Sequence, residues 1–136
     1  MNERQWEELN EILRRVRGGG DVTPVFEFLD ANAKAEDVPR LMGLMNDEDI
    51  VVREVVSGPL GRLAGPADLP QLLAVLQRGI DEGHDCDSLQ AALVEIAETH
   101  KVSAQQVLTV LTKSSDRATR ENAEWLLEFC EDPPNA

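Results

Sequence analysis

The stretches "EDVPRLMGLMND" (36–47) and "ADLPQLLAVLQR" (67–78) show the same order of residue types at an offset of 31 positions. Each begins with an acidic cap residue, Asp37 or Asp68, followed by a proline in the first turn, where a missing N–H does no harm to a helix. Apolar residues then recur at the spacing of one helix face. A third stretch, "SAQQVLTVLTKS" (103–114), fits the same frame with a Ser in the cap position. The chain therefore contains three copies of one helix pattern.

A second helix pattern follows each of these copies. "DIVVREVVSGPLGRLAG" (49–65) aligns with "DRATRENAEWLLEFCED" (116–132), so that Arg53 falls on Arg120, and "DSLQAALVEIAETH" (87–100) fits between them. Units of two helices that repeat every 31 to 36 residues are typical of a stacked α-solenoid. No stretch alternates apolar and polar residues for long enough to indicate a strand. The sequence therefore predicts an all-α protein, built as a short α-solenoid of helix pairs.

The stretch "LMNDEDIVVREVVSGPLGRLAG" (44–65) resembles the HEAT-repeat family, with acidic residues in the turn, a Val-Arg pair at 52–53, and small and apolar residues after it. The resemblance covers about residues 36–132, although Cys86 stands where the middle copy would carry the arginine. It implies a right-handed stack of antiparallel helix pairs, about eight helices in all, with the second helices lining a concave face. It also implies that such arginines tie neighbouring repeats together, and that the protein binds or scaffolds rather than catalyses.

These repeats, with the segment before them, predict a single domain over the whole chain. A first helix is expected from about Glu3 to Arg17, since glycines follow it, and Thr23 then precedes a proline that suits a helix start. The predicted divisions are N-terminal capping helices over 1–35, three HEAT-like helix pairs over 36–132, and a tail over 133–136.

The charge of the chain narrows the class of partner. The net charge is −13 over 136 residues, which argues against binding to phosphate backbones and favours either plain solubility or attraction to a basic protein. The longest uncharged run, 102–112, is too short to span a membrane, and the N-terminus lacks the pattern of a secretory signal. Two cysteines suit a reduced compartment. We therefore expect a cytoplasmic protein that binds neither nucleic acid nor membrane.

The segment "DEGHDCD" (81–87) concentrates acids, a histidine and a cysteine, which are all possible metal ligands. One Cys and one His do not supply a closed zinc set, and the acids lack the alternate spacing of a calcium loop. Asp87 and Gln90 instead have the spacing of a capping box, and Gly79 and Gly83 would end the preceding helix. The segment is therefore interpreted as a capped turn, with no metal and no cofactor expected.

The second helices carry the candidate partner-binding residues. With their apolar positions facing the core, their opposite faces are expected to form an acidic concave stripe, for which a solvated surface is the alternative. In the first copy, Ser57 and Gly61 fall on this face. Trp125 is expected either to cap the final repeat or to serve as an exposed aromatic anchor. The candidates are Glu54, Asp87, Gln90, Glu98, Glu121, Glu124, Trp125 and Glu128.

Three classes of function remain at this point. The leading hypothesis is a non-enzymatic module that presents its acidic surface to a basic protein, in its sharpest form a bacterial immunity or antitoxin protein. The second is a structural adaptor or assembly factor, and a remote third is a HEAT-like lyase. Arg53 near Asp49 is expected to be structural, and His84 and His100 are not assigned a catalytic role. No catalytic residue is therefore predicted, and the oligomeric state stays open.

Overall fold

The computed structural model of the chain describes residues 1–131 and is all-helical over that range. The all-α prediction is confirmed there, whereas Asp132 and the tail predicted over 133–136 lie outside the described residues. The eight α-helices of the described range are α1 (Glu3–Arg17), α2 (Thr23–Asn32), α3 (Val38–Leu44), α4 (Ile50–Leu63), α5 (Leu69–Asp81), α6 (Asp87–Thr99), α7 (Lys101–Leu111) and α8 (Arg117–Leu127).

The first helix begins and ends as its sequence predicts. The Asn2 side chain accepts a hydrogen bond from the Gln5 amide at 2.9 Å, and the Gln5 side chain accepts one from the Asn2 amide at 2.8 Å. This reciprocal pair is a capping box, which satisfies amides that have no partner within the helix. At the other end, the chain leaves the helix at Gly18, and Gly19 adopts a positive φ of 89°. Both ends of α1 are therefore specified locally.

The helices α3 and α5 begin differently from the prediction. Asp37 and Asp68 do not cap them directly but end short 3-10 turns, Ala35–Asp37 and Pro66–Asp68. Each carboxylate reaches back to the amide before its turn, at 2.8 Å from Lys34 and at 3.0 Å from Gly65. The third copy departs further, because α7 already begins at Lys101 and places Ser103 inside the helix. A single residue, His100, separates α6 from α7, which leaves no room for such a turn.

Helix α4 lies at the centre of the core. It contacts α1, α2 and α3, and its most extensive contact is with α6. At the crossing with α6, a side chain on Gly61 would come within 2.9 Å of the Ala92 backbone, so only glycine permits this approach. Ser57 and Pro59 on the same helix are also buried. Little of α4 is therefore left to face solvent.

The last two helices pack on each other and on the pair before them. Helix α7 contacts α8, and both of them contact α5 and α6. Helix α7 contributes only Ala104 and Leu108 to the buried core, whereas Val102 and Val110 are 71% and 70% exposed. The C-terminal end of the structure therefore presents apolar side chains that the described residues leave uncovered.

Candidate functional site

Arg53 joins α4 to the turn after α5. Its side chain is 2% exposed, and its NH2 group donates to Glu82 Oε1 at 2.6 Å. A tie from Arg53 to a turn carboxylate was expected, and Glu82 lies in the turn directly after α5. Asp49 does not take part but caps its own helix by accepting from the Val51 amide at 2.8 Å. The Nε and NH1 atoms of Arg53 are buried without a hydrogen-bond partner among the described residues. Burial of these unpaired donors is unfavourable for the free energy of folding.

Two further arginines connect the turn at residues 45–49 to its neighbours. Arg17 of α1 pairs with Asp47, and Arg78 of α5 donates to the Asn46 carbonyl at 3.3 Å. Burial acts against ionisation of Asp47, but the hydrogen bonds from Arg17 and from the Asp49 amide hold its pKa below the usual value. Arg120 differs from the expected tie, because it donates to carbonyls within its own turn, at Ser114 and Ser115.

The turn before α6 is built around Cys86 rather than around a capping box. Cys86 is buried, lies at the N-cap position and adopts a positive φ of 57°. Asp87 becomes the first residue of α6, and the Gln90 side chain donates to the Asp85 carbonyl at 2.7 Å. The predicted capping box is therefore wrong, because burial of the cysteine side chain shifts the helix start by one residue.

One amide in the first turn of α6 has its partner on another helix. Glu54 of α4 accepts from the Leu89 amide at 3.0 Å and so caps α6 across the helix interface. The side chain is half-buried, and burial raises its pKa against the opposing effect of hydrogen bonds from the Leu89 and Ser88 amides. Asp87 raises the pKa further. This contact is long-range, so the sequence pattern around α6 carried no signal for it.

The segment at 81–87 does not gather its possible ligands. Within residues 1–131, no group of three or more His, Cys, Asp or Glu side chains is arranged to hold a metal ion. Gly83 has a positive φ of 90°, as expected for a turn, but Gly79 lies inside α5. A methyl group there would overlap Cys86 Sγ, so Gly79 serves packing rather than ending the helix. Burial also raises the pKa of the Cys86 thiol, which keeps it protonated and unreactive.

The predicted acidic stripe is not open along its whole length. Ser57 and Gly61 of α4 were expected to face outward but are buried, because this face of α4 packs on α6. Glu54, on the same face, is occupied as the cap of α6. The expectation was wrong here because α4 packs on more than one side and exposes mainly Val51, Gly58 and Arg62, and a pattern read for one buried face does not reveal a second one.

The stripe remains exposed on α6, on α8 and at the start of the 3-10 turn that follows α8, Glu128–Cys130. Glu121 pairs with Arg117 at 2.8 Å, whereas three other glutamates form no ion pair with any residue of the described chain. Asp87 and Gln90 lie at the start of α6, exposed and half-exposed respectively. We refer to the three exposed and unpaired glutamates as the open carboxylates, and they are Glu98, Glu124 and Glu128.

Trp125 packs more closely than an exposed anchor would. It is partly buried against the core cluster, and its ring meets Phe129 edge to face, with centroids 5.7 Å apart. Such pairs are favourable beyond the area that they bury. The geometry therefore favours the interpretation of Trp125 as the cap of the last helix pair.

A groove that the sequence analysis missed runs between α5, α7 and α8, with a volume of about 460 Å³. Its floor is largely apolar, and the side chains of Gln77 and Asn122 meet across it at 3.0 Å. One face of α5 supplies half of the walls, and that face was visible in the sequence, but the position of α8 beside it was not. The lining residues are Pro70, Leu73, Ala74, Gln77, Arg78, Asp81, Glu82, Leu111, Asp116, Thr119 and Asn122.

Comparison with models of protein families, with curated proteins and with solved structures found no match to this chain. Across the described residues, the helices are too short or too polar for any of them to cross a bilayer. The geometry of the chain's own residues therefore carries the functional argument.

Proposed function

We propose that the protein is a short HEAT-like α-solenoid that binds a basic protein partner and catalyses no reaction. In this proposal, the helix pairs α3–α4, α5–α6 and α7–α8 stack in order, and the open carboxylates on α6 and α8 meet the partner. Contacts between α4 and α6 and between α6 and α8 support this order. The protein would act in the cytoplasm, and its sharpest form is a bacterial immunity or antitoxin protein.

The proposal rests on two properties of the open carboxylates, their exposure and their lack of ion pairs within residues 1–131. Glu98, Glu124 and Glu128 are exposed and form no ion pair within residues 1–131, so the fold does not require their charge. Unpaired surface carboxylates contribute little to stability, but in a chain of net charge −13 they add to a field that attracts cationic proteins. Their presence on two contacting helices therefore supports a docking surface for a basic partner.

A second candidate, a structural adaptor, is favoured by a different observation. Val102 and Val110 are 71% and 70% exposed on α7, and the exposed face of that helix carries no acidic residue. An uncharged face at the end of a helical stack suits contact with a further helix pair, because stacked repeats bury such faces against their neighbours. An adaptor would use this end surface instead of the open carboxylates.

Affinity capture with matched variants tests the leading proposal. Reversal of Glu98, Glu124 and Glu128 to Lys should leave folding nearly unchanged and should abolish capture of a basic protein that the unaltered chain retains. Association with that protein, once identified by mass spectrometry, should slow by about ten-fold or more and should depend steeply on salt.

The control reverses the same number of charges at a distant place. Glu7, Glu8 and Glu27 lie on α1 and α2, are exposed, and form no ion pair within residues 1–131. If both triple variants lose the partner equally, bulk charge alone explains binding and the surface assignment fails. If the Val102→Asp and Val110→Asp variants lose the partner while the glutamate variant retains it, the adaptor proposal replaces the leading one.

A further inference from the structure

The groove between α5, α7 and α8 is a second surface, separate from the open carboxylates. On a helix, each residue turns about 100° from the one before it. Thr119 and Asn122, which line the groove, therefore lie on nearly the opposite side of α8 from Glu124. A partner could occupy the groove without touching the open carboxylates, so the two surfaces can be tested independently.

The groove changes in character along its length. The walls that α5 supplies run from Pro70 to Asp81, about 16 Å at the rise of an α-helix. Leu73 and Ala74 make the first part apolar, and Ala74 is exposed although it lines the floor. Beyond Gln77 the walls carry Asp81 and Glu82 together with the basic Arg78. A ligand that fits this gradient has an apolar part and a positively charged part in fixed order.

The acidic end retains negative charge after its internal ion pairs are counted. Glu82 is balanced, because it accepts from Arg53 at 2.6 Å and lies 3.6 Å from Arg78. Asp81 accepts a hydrogen bond only from the neutral Gln77 side chain, at 2.8 Å. Asp116 accepts from the hydroxyl and the amide of Thr119, which hold its pKa below the usual value. The groove lining therefore carries three carboxylates, Asp81, Glu82 and Asp116, against the one guanidinium of Arg78, and Arg120 acts on Asp116 from outside the lining.

We propose that this groove docks a basic amphipathic segment of the protein partner. Apolar side chains of the segment would cover Leu73 and Ala74, and a Lys or Arg would reach Asp81 and Asp116. Such segments commonly lay their apolar face into a groove while flanking charges set orientation. The inference rests on the proposed function for the basic character of the partner, but it assigns a different surface.

Charge complementarity favours this occupant over the others that an apolar groove could take. A second copy of the chain would bring a net charge of −13 toward a surface of the same sign, and nucleic acid would be repelled in the same way. A purely apolar ligand would leave the charges of Asp81 and Asp116 in a less polar environment without compensation. A segment that carries both apolar side chains and cations meets both parts of the groove.

Binding of a synthetic peptide tests the proposal. The probe is a fluorescently labelled amphipathic peptide of Leu and Lys, about 14 residues long, titrated with the full chain at about 0.15 M salt and followed by anisotropy. Ala74→Trp fills the groove without changing charge and should weaken binding by about ten-fold or more. Ala91→Trp is the matched control, because Ala91 is an exposed alanine on α6 away from the groove, and it should bind as the unaltered chain does.

Two further measurements distinguish binding in the groove from nonspecific electrostatic attraction between the peptide and the protein. A peptide with Ser in place of Leu keeps the same charge and should bind at least about ten-fold more weakly, since it cannot cover the apolar floor. In NMR spectra, the side-chain amide signals of Gln77 and Asn122 should shift on adding the Leu–Lys peptide to the unaltered chain, because these groups lie on the groove floor.

Several results would overturn the proposal. They are absence of binding to the unaltered chain, equal binding of the Ser peptide, or undiminished binding to the Ala74→Trp variant. If reversal of Glu98, Glu124 and Glu128 abolishes peptide binding while Ala74→Trp does not, the groove is not the site and the proposed function stands. If Ala74→Trp abolishes binding and the reversal does not, the groove is supported, and the capture experiment decides separately on the open carboxylates.

Discussion

Arg53 is the largest fully buried side chain of the structure, and two of its donors have no partner among the described residues. Its contribution to stability therefore combines packing, which is favourable, with desolvation of a charge, which is not. The ion pair with Glu82 offsets part of the desolvation, and Glu82 is itself 37% exposed. The balance between these effects can be measured by varying the shape and the charge of the side chain separately.

We expect Arg53→Ala to lower the free energy of unfolding by about 2–4 kcal/mol, because it leaves a cavity in the core. Arg53→Met should cost less than about 1 kcal/mol, because it keeps most of the volume and removes the buried charge. Urea denaturation followed by circular dichroism measures both. Equal losses for the two variants would show that the charge pair rather than packing is what stabilises this position. Glu82→Ala is the control, and it should destabilise more than Arg53→Met because it leaves the guanidinium unpaired.

The turn between α5 and α6 makes α6 start one residue earlier than the sequence analysis predicted. Gly79 lies inside α5 so that Cys86 Sγ can pack against it, and Cys86 holds a positive φ of 57° at the start of α6. A left-handed backbone at a non-glycine residue costs of order 1 kcal/mol and persists only where the surrounding structure requires it. Here the packing of Cys86 Sγ against Gly79 holds Cys86 in the left-handed conformation.

A double-mutant cycle tests this contact. Gly79→Ala should destabilise the protein by about 1–3 kcal/mol, although alanine is a better helix former than glycine, because the added methyl overlaps the cysteine sulfur. In a Cys86→Ala background the same change should be neutral or stabilising. Thermal and urea unfolding of the four proteins give the coupling energy. Additive effects would mean that another neighbour restricts Gly79.

The helices themselves were predictable because their signals are local. The spacing of apolar residues, the Asn2 cap and the glycines after Arg17 act within a few residues of the element that they define. The candidate sites were harder to predict from the sequence, because they depend on contacts between distant parts of the chain. Glu54 caps a helix that begins 33 positions later, and the groove depends on where α8 lies beside α5. Neither property is encoded in the period of a single helix.

In the molecule as a whole, acidic side chains outnumber the basic side chains that could pair with them. The chain carries 26 acidic and 13 basic side chains, and several of the basic ones are already paired at turns between helices. The remaining carboxylates repel one another across the surface, and this repulsion is stronger in the folded state than in the expanded unfolded chain. At 0.1 M ionic strength, salt largely screens the repulsion between exposed charges that lie more than about 10 Å apart.

We therefore expect the melting temperature to rise by several degrees between about 0.01 M and 0.3 M sodium chloride. Replacing Glu98, Glu124 and Glu128 by Gln should raise it at low salt and have a smaller effect at high salt. Differential scanning calorimetry measures both quantities. A melting temperature that falls with added salt would indicate that ion pairs such as Arg53–Glu82 outweigh the general repulsion.

The burial of α4 has a consequence for the order in which the chain folds during synthesis. Pro59 lies inside α4 and has no N–H, so one carbonyl of the preceding turn lacks its helical donor. On the face of α4 that packs on α6, Gly61 lies close to Ala92 and Glu95. A nascent chain that has reached Leu63 has the residues of α1 to α4 but not the helix with which α4 makes its most extensive contact. We therefore expect the first half of the protein to complete its packing only after α6 has left the ribosome.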